Sequence, residues 1–323
     1  MQRDSTWQPS ATIEVLRERA ALFAKLRSFF AERGVMEVDT PVLAHFGVTD
    51  PHLSNLTSSL RHDVVPLHLQ TSPEYAMKRL LAAGSGCIYQ LGKVFRDDEQ
   101  GPRHNPEFTM LEWYRVGFTM QQLIDEVVEL LRVGVAAPLP RQITYQQLLR
   151  ETLTVDPLAD DAVECLQQSL SAYPSIRELA LQETDRDILL DLAMACIVEP
   201  AMDPQQPLIV THYPASQAAL AQLDPSDDRV ALRFEVFYGG YELANGYQEL
   251  TDAAQQAQRF TQDQQRRLQL GKPVAHADPR LIAALTHGLP QCSGVALGFD
   301  RLLMAKLGAS SIEQVLPFAI DRA

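Results

Sequence analysis

Apolar residues at helical spacing mark the first part of the chain. Six of them recur every three or four positions, namely Ile13, Leu16, Ala20, Phe23, Leu26 and Phe30. This spacing predicts an amphipathic helix over residues 10–33, which Gly34 can end. A short strand is predicted over 35–41, where Pro41 stops it.

Strand and helix patterns alternate along the rest of the chain. Further strands are predicted over 88–95, 106–115, 207–213 and 293–299, and a hairpin over 232–249 turns at Gly239-Gly240. Further helices are predicted over 72–84, 119–133, 142–150, 184–197, 251–270 and 279–287, and from residue 300 onward. Ser72 and Asp300 are the expected N-caps.

These elements indicate the fold class. Hairpin-joined strands with helices set between them predict an α+β domain on a mostly antiparallel sheet flanked by helices. The Pro- and Asp-rich residues between the helices over 142–150 and 184–197 are expected to form a surface stretch. No second domain is apparent, so a single domain over 1–323 is predicted.

Composition and charge narrow the class of protein. Hydrophobic residues make up 46% of the 323 residues, enough for a sizeable core, and no apolar run approaches the about 18 residues of a membrane span. The polar N-terminus does not resemble a secretory signal, and four scattered cysteines indicate reduced thiols in the cytoplasm. A formal net charge of −13 without a basic run argues against stable tRNA binding.

A strand with chemically useful side chains follows a charged loop. Alternate residues of a strand share a face, so Phe108, Glu112 and Tyr114 would line one pocket. A carboxylate, a phenol and an aromatic ring suit an ammonium group and a flat heterocycle. Arg96 and Arg103, at the two ends of the loop, could bind phosphate or a substrate carboxylate. The alternative is an edge hairpin with solvated charges.

Two glutamates face each other in the predicted hairpin. If the two glycines form the turn, Glu235 lies opposite Ala244, and Glu235 and Glu242 are diagonal neighbours about 7–8 Å apart. Like charges at this distance repel unless a cation lies between them, so the pair predicts a Mg²⁺ site that also holds nucleotide phosphates. A solvated sheet face is the alternative, but Asn245 and Glu249 nearby favour the metal site.

A strand of small residues leads into Asp300 and Arg301. Small side chains let a ligand approach the strand backbone closely. Arg301 falls in the first turn of a helix, where a cation opposes the helix dipole unless it meets an anion or stacks on a ring. This stretch therefore indicates a ligand-binding element.

Together, these stretches resemble the three signature motifs of class II aminoacyl-tRNA synthetases. Residues 34–41 are similar to the first motif, which usually forms a dimer interface, residues 96–114 to the second and 296–301 to the third. The segments HNPEFTMLEWY and ELANGYQEL are similar to lysyl-tRNA synthetases. The resemblance covers essentially the whole chain and implies the class II catalytic fold, ATP as co-substrate, Mg²⁺ and a homodimer.

The resemblance also implies a role for each candidate residue. The ATP-binding set is Arg96, Asp97, Asp98, His104, Asn105, Phe108, Glu242, Leu243, Gly298 and Arg301. The set that binds the amino acid is Ser72, Pro73, Glu74, Glu112, Tyr114, Asn245, Glu249 and Ala296. The implied metal ligands are Glu235 and Glu242, and the implied catalytic residues are Arg96, Glu242 and Arg301.

Within these sets the family pattern separates several tasks. Arg96 would hold the carboxylate and the α-phosphate, while Phe108 and Arg301 would sandwich the adenine. Glu74 would bind the amine near the reacting carboxylate, and Asn245 would help with the carboxylate. The residues implied for the distal ammonium are Glu112, Tyr114 and Glu249.

The chain departs from lysyl-tRNA synthetases in three respects. The chain begins almost at the first motif, so an N-terminal anticodon-binding OB-fold is not expected. Ser72 and Ala296 stand where those enzymes usually have alanine and glycine, and Asp98 stands where they usually have glutamate. The missing OB-fold together with Ser72 and Ala296 is similar to stand-alone paralogues that join (R)-β-lysine, through an aminoacyl-adenylate, to a lysine of elongation factor P. Asp98 bears instead on ATP binding.

Two alternatives remain from the sequence. One is a truncated lysyl-tRNA synthetase that charges tRNA with α-lysine, against which the acidic charge argues. The other is a catalytically silent paralogue that regulates or binds a partner. Intact residues in the ATP-binding and amino-acid-binding sets argue against the silent paralogue.

Overall fold

The structure, a computed structural model, describes residues 7–61, 65–97 and 100–323. Its strands are β1 (Met36–Glu37), β2 (Leu43–Ala44), β3 (Thr57–Ser58), β4 (Leu67–Leu69), β5 (Ile88–Phe95), β6 (Glu107–Val116), β7 (Arg141–Thr144), β8 (Leu208–Pro214), β9 (Leu223–Asp224), β10 (Asp227–Tyr238), β11 (Tyr241–Gln248) and β12 (Cys292–Gly298). Its α-helices are α1 (Ile13–Ala31), α2 (Glu74–Ala82), α3 (Met120–Val135), α4 (Tyr145–Leu153), α5 (Ala162–Leu170), α6 (Arg177–Gln182), α7 (Arg186–Ala193), α8 (Glu199–Ala201), α9 (Ala253–Gln269), α10 (Pro279–Gly288) and α11 (Phe299–Leu307).

The chain divides into two compact units, which are described separately. Unit 1 comprises Met1–Ala136 with Leu250–Ala323, and unit 2 comprises Ala137–Glu249. Antiparallel pairing dominates the sheet in both, as the α+β prediction requires. That the two units act as one domain stays a prediction.

Unit 1 contains a sheet in the order β1, β5, β6, β12. Only the two-residue strand β1 pairs in parallel, with β5. Helix α1 packs on one face of this sheet, where the Phe30 ring stacks on Tyr89 with centroids 4.4 Å apart and meets Trp113 edge-on at 5.4 Å. Because strand side chains alternate between faces, Glu112 and Tyr114 project from the opposite face, away from α1.

A buried ion pair ties α11 to α1 and β6. Arg19 donates to Asp300 at 2.5 Å and to the Thr109 hydroxyl at 2.7 Å, and the Thr109 N–H donates to Asp300 at 2.6 Å. The predicted N-cap role of Asp300 is wrong, because α11 begins at Phe299 with Gly298 as its N-cap. The Asp300 carboxylate instead points into unit 1, where these donors satisfy it.

Two further expectations about elements are wrong. Helix α2 begins at Glu74 with Pro73 as its N-cap, so Ser72 lies one residue before the cap, although its hydroxyl accepts the Glu74 N–H at 3.0 Å. The predicted surface stretch before α7 contains α5 and α6. Those helices bury only three residues and one residue respectively, which makes their periodicity hard to recognise among prolines and aspartates.

Unit 2 contains strands in the order β11, β10, β8, β7, with β9 also paired to β10. Strands β10 and β11 form the predicted hairpin, and both turn glycines, Gly239 and Gly240, have positive φ angles, as a two-residue hairpin turn needs. Helices α4, α5, α6 and α7 pack their apolar residues into one core with β8 and Phe237. The sheet and these helices hold β10 and β11 in place.

Two predictions based on composition can be compared with the described chain. Cys87, Cys165, Cys196 and Cys292 are free thiols in the structure, and their cytoplasmic setting stays a prediction. Among the described residues, no helix combines the length and the apolar character needed to cross a membrane.

Candidate active site

The face of β6 opposite α1 carries a hydrogen-bonded, buried carboxylate. Glu112 is 2% exposed. The Tyr114 hydroxyl donates to its Oε1 at 2.7 Å, and the Ser72 hydroxyl donates to its Oε2 at 2.7 Å. Ala296 lies directly opposite Glu112 on β12, where its small side chain takes up little space. The structure thus brings four predicted amino-acid-binding residues of unit 1 together.

Glu74 forms an ion pair that the sequence reading overlooked. The Lys78 ammonium donates to Glu74 Oε1 at 2.6 Å, and Lys78 is 2% exposed. The spacing in the sequence could have indicated this pair, since a glutamate and a lysine four residues apart on a helix are neighbours. A substrate amine that binds Glu74 would therefore meet a carboxylate that already forms an ion pair with Lys78.

Several residues predicted to bind ATP lie close together in unit 1. The Arg96 guanidinium lies 5.2 Å from the centroid of the Phe108 ring. Arg301 contacts His104 Nε2 at 2.6 Å and donates to a backbone oxygen of the same loop. A Cβ placed on Gly298 would lie 3.6 Å from the Arg301 side chain. The loop before β6 and the start of α11 therefore meet, as an adenine site between Phe108 and Arg301 requires.

The remaining loop residues stay predictions. Asn105 is 6% exposed; its amide donates to the Glu107 carbonyl at 2.6 Å and accepts the Ile320 N–H at 3.0 Å. These contacts give Asn105 a structural task beside any role toward ATP. Asp97 is exposed, and Asp98 lies outside the described residues.

The register of the hairpin in unit 2 differs from the prediction. Glu235 pairs with Asn245, whereas Ala244 pairs with Val236. An irregularity between Val236 and Phe237 shifts the pairing by one residue, because a β-bulge opposes two residues to one. The predicted pairing of Glu235 with Ala244 is therefore wrong, and Asn245 is its direct neighbour.

Glu235 lies in a network of polar side chains. The Tyr213 hydroxyl donates to Glu235 Oε2 at 2.7 Å, and Arg233 pairs with the other oxygen. Burial raises the pKa of Glu235 to about 7; Arg233 counteracts this shift, and the nearby Glu242 carboxylate adds to it. Two mutually repelling carboxylates match the donor chemistry that Mg²⁺ prefers, so the pair fits the predicted ion.

Sequence reasoning overlooked both partners of Glu235. Arg233 could have been found, since it lies two residues before Glu235 on one strand and so shares its face; it also donates to Asn245 at 3.3 Å. Tyr213 lies on β8, and only the pairing of strands brings it close. Within the described chain no cluster of three or more His, Cys, Asp or Glu could hold a metal, so the predicted ion depends on the two glutamates.

Two other predicted residues of unit 2 are buried. Glu249 is 1% exposed and Leu243 is 2% exposed. The Glu249 carbonyl accepts a hydrogen bond from the Gln222 side chain at 2.8 Å, which fixes the backbone where β11 ends. The roles implied for Glu249 and Leu243 stay predictions.

A mostly antiparallel sheet with a buried carboxylate and a nearby arginine–aromatic pair is expected of a class II aminoacyl-tRNA synthetase domain. The family model described as tRNA synthetases class II (D, K and N) matches residues 5–322. The chain therefore belongs to the class II aminoacyl-tRNA synthetase family, which confirms the resemblance.

Curated relatives carry a more specific name. The chain is 49% identical to elongation factor P–(R)-beta-lysine ligase of Histophilus somni strain 2336 over 327 residues, which cover 100% of both chains. It is 48% identical to the ligase of that name from Pasteurella multocida strain Pm70, again over 100% of both. The ligase of that name from Vibrio vulnificus strain YJ016 is 49% identical over 98% of each chain.

Proposed function

We propose that this chain activates (R)-β-lysine with ATP and transfers it to a lysine side chain of elongation factor P. The observation that carries the proposal is the buried Glu112, held by Tyr114 and Ser72 on the face of β6 opposite α1. A buried carboxylate is costly unless a cation or several hydrogen bonds stabilise it. The ammonium group of a substrate supplies a cation and hydrogen-bond donors together. The names of the full-length relatives support the particular substrate and acceptor.

The first step forms an aminoacyl-adenylate. A carboxylate oxygen of β-lysine attacks the α-phosphorus of ATP, an O–P bond forms, and the bond to the β-phosphate breaks to release pyrophosphate. Arg96 offsets the negative charge that grows at phosphorus, and Phe108 and Arg301 hold the adenine. Positioning and electrostatics therefore supply most of the rate, and no protein nucleophile is needed.

Mg²⁺ fits this step as a bound ion. Glu235 and Glu242 would hold it, and it would neutralise phosphate charge. Tyr213 and Arg233 keep the Glu235 carboxylate in one orientation, so its remaining lone pairs have a defined direction.

The second step forms an amide. The uncharged ε-amine of a lysine on elongation factor P attacks the acyl carbon of the adenylate, AMP leaves, and the nitrogen loses a proton. The net charge of −13 disfavours an acceptor held through many phosphates, which is why we propose a protein acceptor in the cytoplasm.

Pyrophosphate exchange tests the first step. Purified protein with ATP, Mg²⁺ and labelled pyrophosphate is expected to exchange faster with (R)-β-lysine than with α-lysine. Exchange that strongly favours α-lysine, followed by transfer to tRNA, would contradict the proposal. Absence of exchange with either isomer would support a silent paralogue.

Intact-mass measurement tests the second step. Elongation factor P is expected to gain one β-lysyl group in the presence of the enzyme, ATP and (R)-β-lysine. Glu112→Gln should lose exchange and transfer together, because it removes the charge that binds the substrate cation. Glu178→Gln, at an exposed position, is the matched control and should retain both.

A further inference from the structure

Gln90 is a buried polar residue beside Glu112 that the site described above does not use. It lies on β5, directly opposite Glu112 on β6, so both side chains project from the same face of the unit 1 sheet. Gln90 is only 6% exposed. Its Oε1 is buried and has no hydrogen-bond partner among the described residues.

An acceptor of this kind needs a donor. A buried amide oxygen without a hydrogen bond costs free energy, and native proteins rarely leave one in that state. Each oxygen of the neighbouring Glu112 receives a hydroxyl donor, from Tyr114 and from Ser72. Gln90 Oε1 is thus an acceptor that still needs a donor, and it lies beside the carboxylate proposed to bind the substrate cation.

Small residues lie beside Gln90 and Glu112 on this face of the sheet. A Cβ placed on Gly92, which lies on the same face, would meet only the Gln90 side chain within 4 Å among the described residues, with Nε2 at 3.5 Å. Ala296 and Gly298 lie on β12, opposite Glu112 and Met110 of β6. Because both are small, little side chain projects from this part of the face. These small residues leave more room beside both acceptors than larger side chains would.

We propose that Gln90 is a further substrate-binding residue, whose amide oxygen accepts a hydrogen bond from the distal ammonium of the amino acid bound by Glu112. An ammonium group carries three donors and can serve several acceptors at once. The inference rests on the proposed function, because it takes the lysine-like substrate from there. It adds a neutral acceptor to Glu112 and Tyr114, the unit 1 residues predicted to bind this group.

Binding of the amino acid without ATP tests this role most directly. Titration calorimetry with Gln90→Leu, which keeps the size but removes the acceptor, is expected to show about 10-fold or greater loss of affinity for (R)-β-lysine, as for other hydrogen bonds to charged groups. The KM for ATP in pyrophosphate exchange should stay within about twofold. Gln142→Leu, at an exposed position on β7, is the matched control and should change neither value.

The distal ammonium is common to both lysine isomers, so the loss should be equal for α- and β-lysine. Norleucine, which lacks this group, should bind Gln90→Leu no worse than it binds the original protein. A changed ratio between the isomers would overturn the assignment to the distal end. Unchanged affinity for both isomers would overturn a role in binding altogether.

Gln90→Glu separates an acceptor from a donor and guards against misfolding. An ionised glutamate can only accept, so affinity for lysine should remain within about threefold or increase if Gln90 acts as an acceptor. A loss as large as that of Gln90→Leu would contradict the proposal. If the original protein binds lysine isomers but exchanges no pyrophosphate, the proposed function fails while the Gln90 test remains valid.

Discussion

At the scale of single residues, each unit holds one predicted ligand-binding carboxylate in a defined orientation. Glu112 receives hydroxyl donors on both oxygens, and Glu235 receives a phenol on one oxygen and a guanidinium on the other. Donors of this kind fix the direction of a carboxylate and stabilise its charge. The partners of a ligand-binding carboxylate are therefore expected to affect affinity through that carboxylate.

Removal of the Tyr114 hydroxyl should weaken substrate binding. Tyr114→Phe leaves Glu112 Oε1 without its 2.7 Å donor, at a cost of about 1–2 kcal/mol. We expect the KM for (R)-β-lysine to rise about 5- to 30-fold with little change for ATP, measured by pyrophosphate exchange. Tyr173→Phe, at an exposed position, is the control. Equal loss toward both substrates would point instead to a general structural defect.

Removal of the Tyr213 hydroxyl should weaken Mg²⁺ binding. Tyr213→Phe frees one oxygen of Glu235, so the carboxylate is less well oriented toward the ion, and Mn²⁺ affinity measured by electron paramagnetic resonance in the presence of ATP should fall about 3- to 10-fold. Tyr145→Phe is the matched control. The Tyr145 hydroxyl is buried and has no hydrogen-bond partner within the described chain, so its removal should leave Mn²⁺ affinity unchanged.

At the scale of elements, Arg19 joins three parts of unit 1. It lies on α1, and it bonds β6 through Thr109 and α11 through Asp300. Thr109 directly follows Phe108, and Asp300 directly precedes Arg301, so the ion pair lies behind the predicted adenine site. The packing of α1 is thereby connected to the position of two proposed ATP-binding residues.

Loss of the Arg19 cation should be strongly destabilising. Arg19→Met leaves Asp300, which is 1% exposed, as a buried charge without its guanidinium, and we expect unfolding free energy to fall by about 3–5 kcal/mol in urea denaturation. Arg27→Met on the same helix is the control, because its ion pair with Glu37 is about half exposed and should contribute less than about 1 kcal/mol. Equal effects for the two substitutions would refute this argument.

At the scale of the whole molecule, charge and exposed apolar surface lead to predictions about partners. The chain carries 41 acidic against 28 basic residues. In unit 1, Met36, Val42 and Leu43 are 50%, 41% and 40% exposed, within or next to the segment that resembles the first class II motif. The excess of acidic residues bears on binding to nucleic acid. The exposed apolar residues bear on contact with a second copy of the chain.

We expect no stable tRNA binding. Filter binding with lysine tRNA at 150 mM salt should give a Kd weaker than about 1 µM, as expected for contacts to phosphates without a basic surface. Tighter binding that survives 150 mM salt would argue for the tRNA-charging alternative.

We expect a homodimer through the exposed apolar segment. Light scattering should give twice the chain mass of 36.0 kDa, and the double substitution Met36→Lys with Leu43→Lys should give the monomer mass, because it buries two charges in the interface. Leu268→Lys, at another exposed apolar position, is the control and should remain dimeric. A monomeric original protein would contradict the expectation.

The sequence by itself determined the fold class, most helices and strands, and the strand face on which each candidate site residue of β6 lies. Helical and strand periodicities are local, so they can be read without knowledge of the packing. The period of two placed Glu112 and Tyr114 on one face of β6, and the structure confirms that they are hydrogen bonded. The sequence motifs indicated the family and the candidate site residues.

Only the tertiary structure decided which distant groups meet. Ser72 reaches Glu112 over 40 positions and Arg19 reaches Asp300 over 281, and no local pattern encodes such a contact. The bulge that sets Glu235 beside Asn245 also depends on how the strands pack. Gln90 looked like any polar strand residue until its burial opposite Glu112 was known, because the burial of a single side chain is a property of the assembled fold.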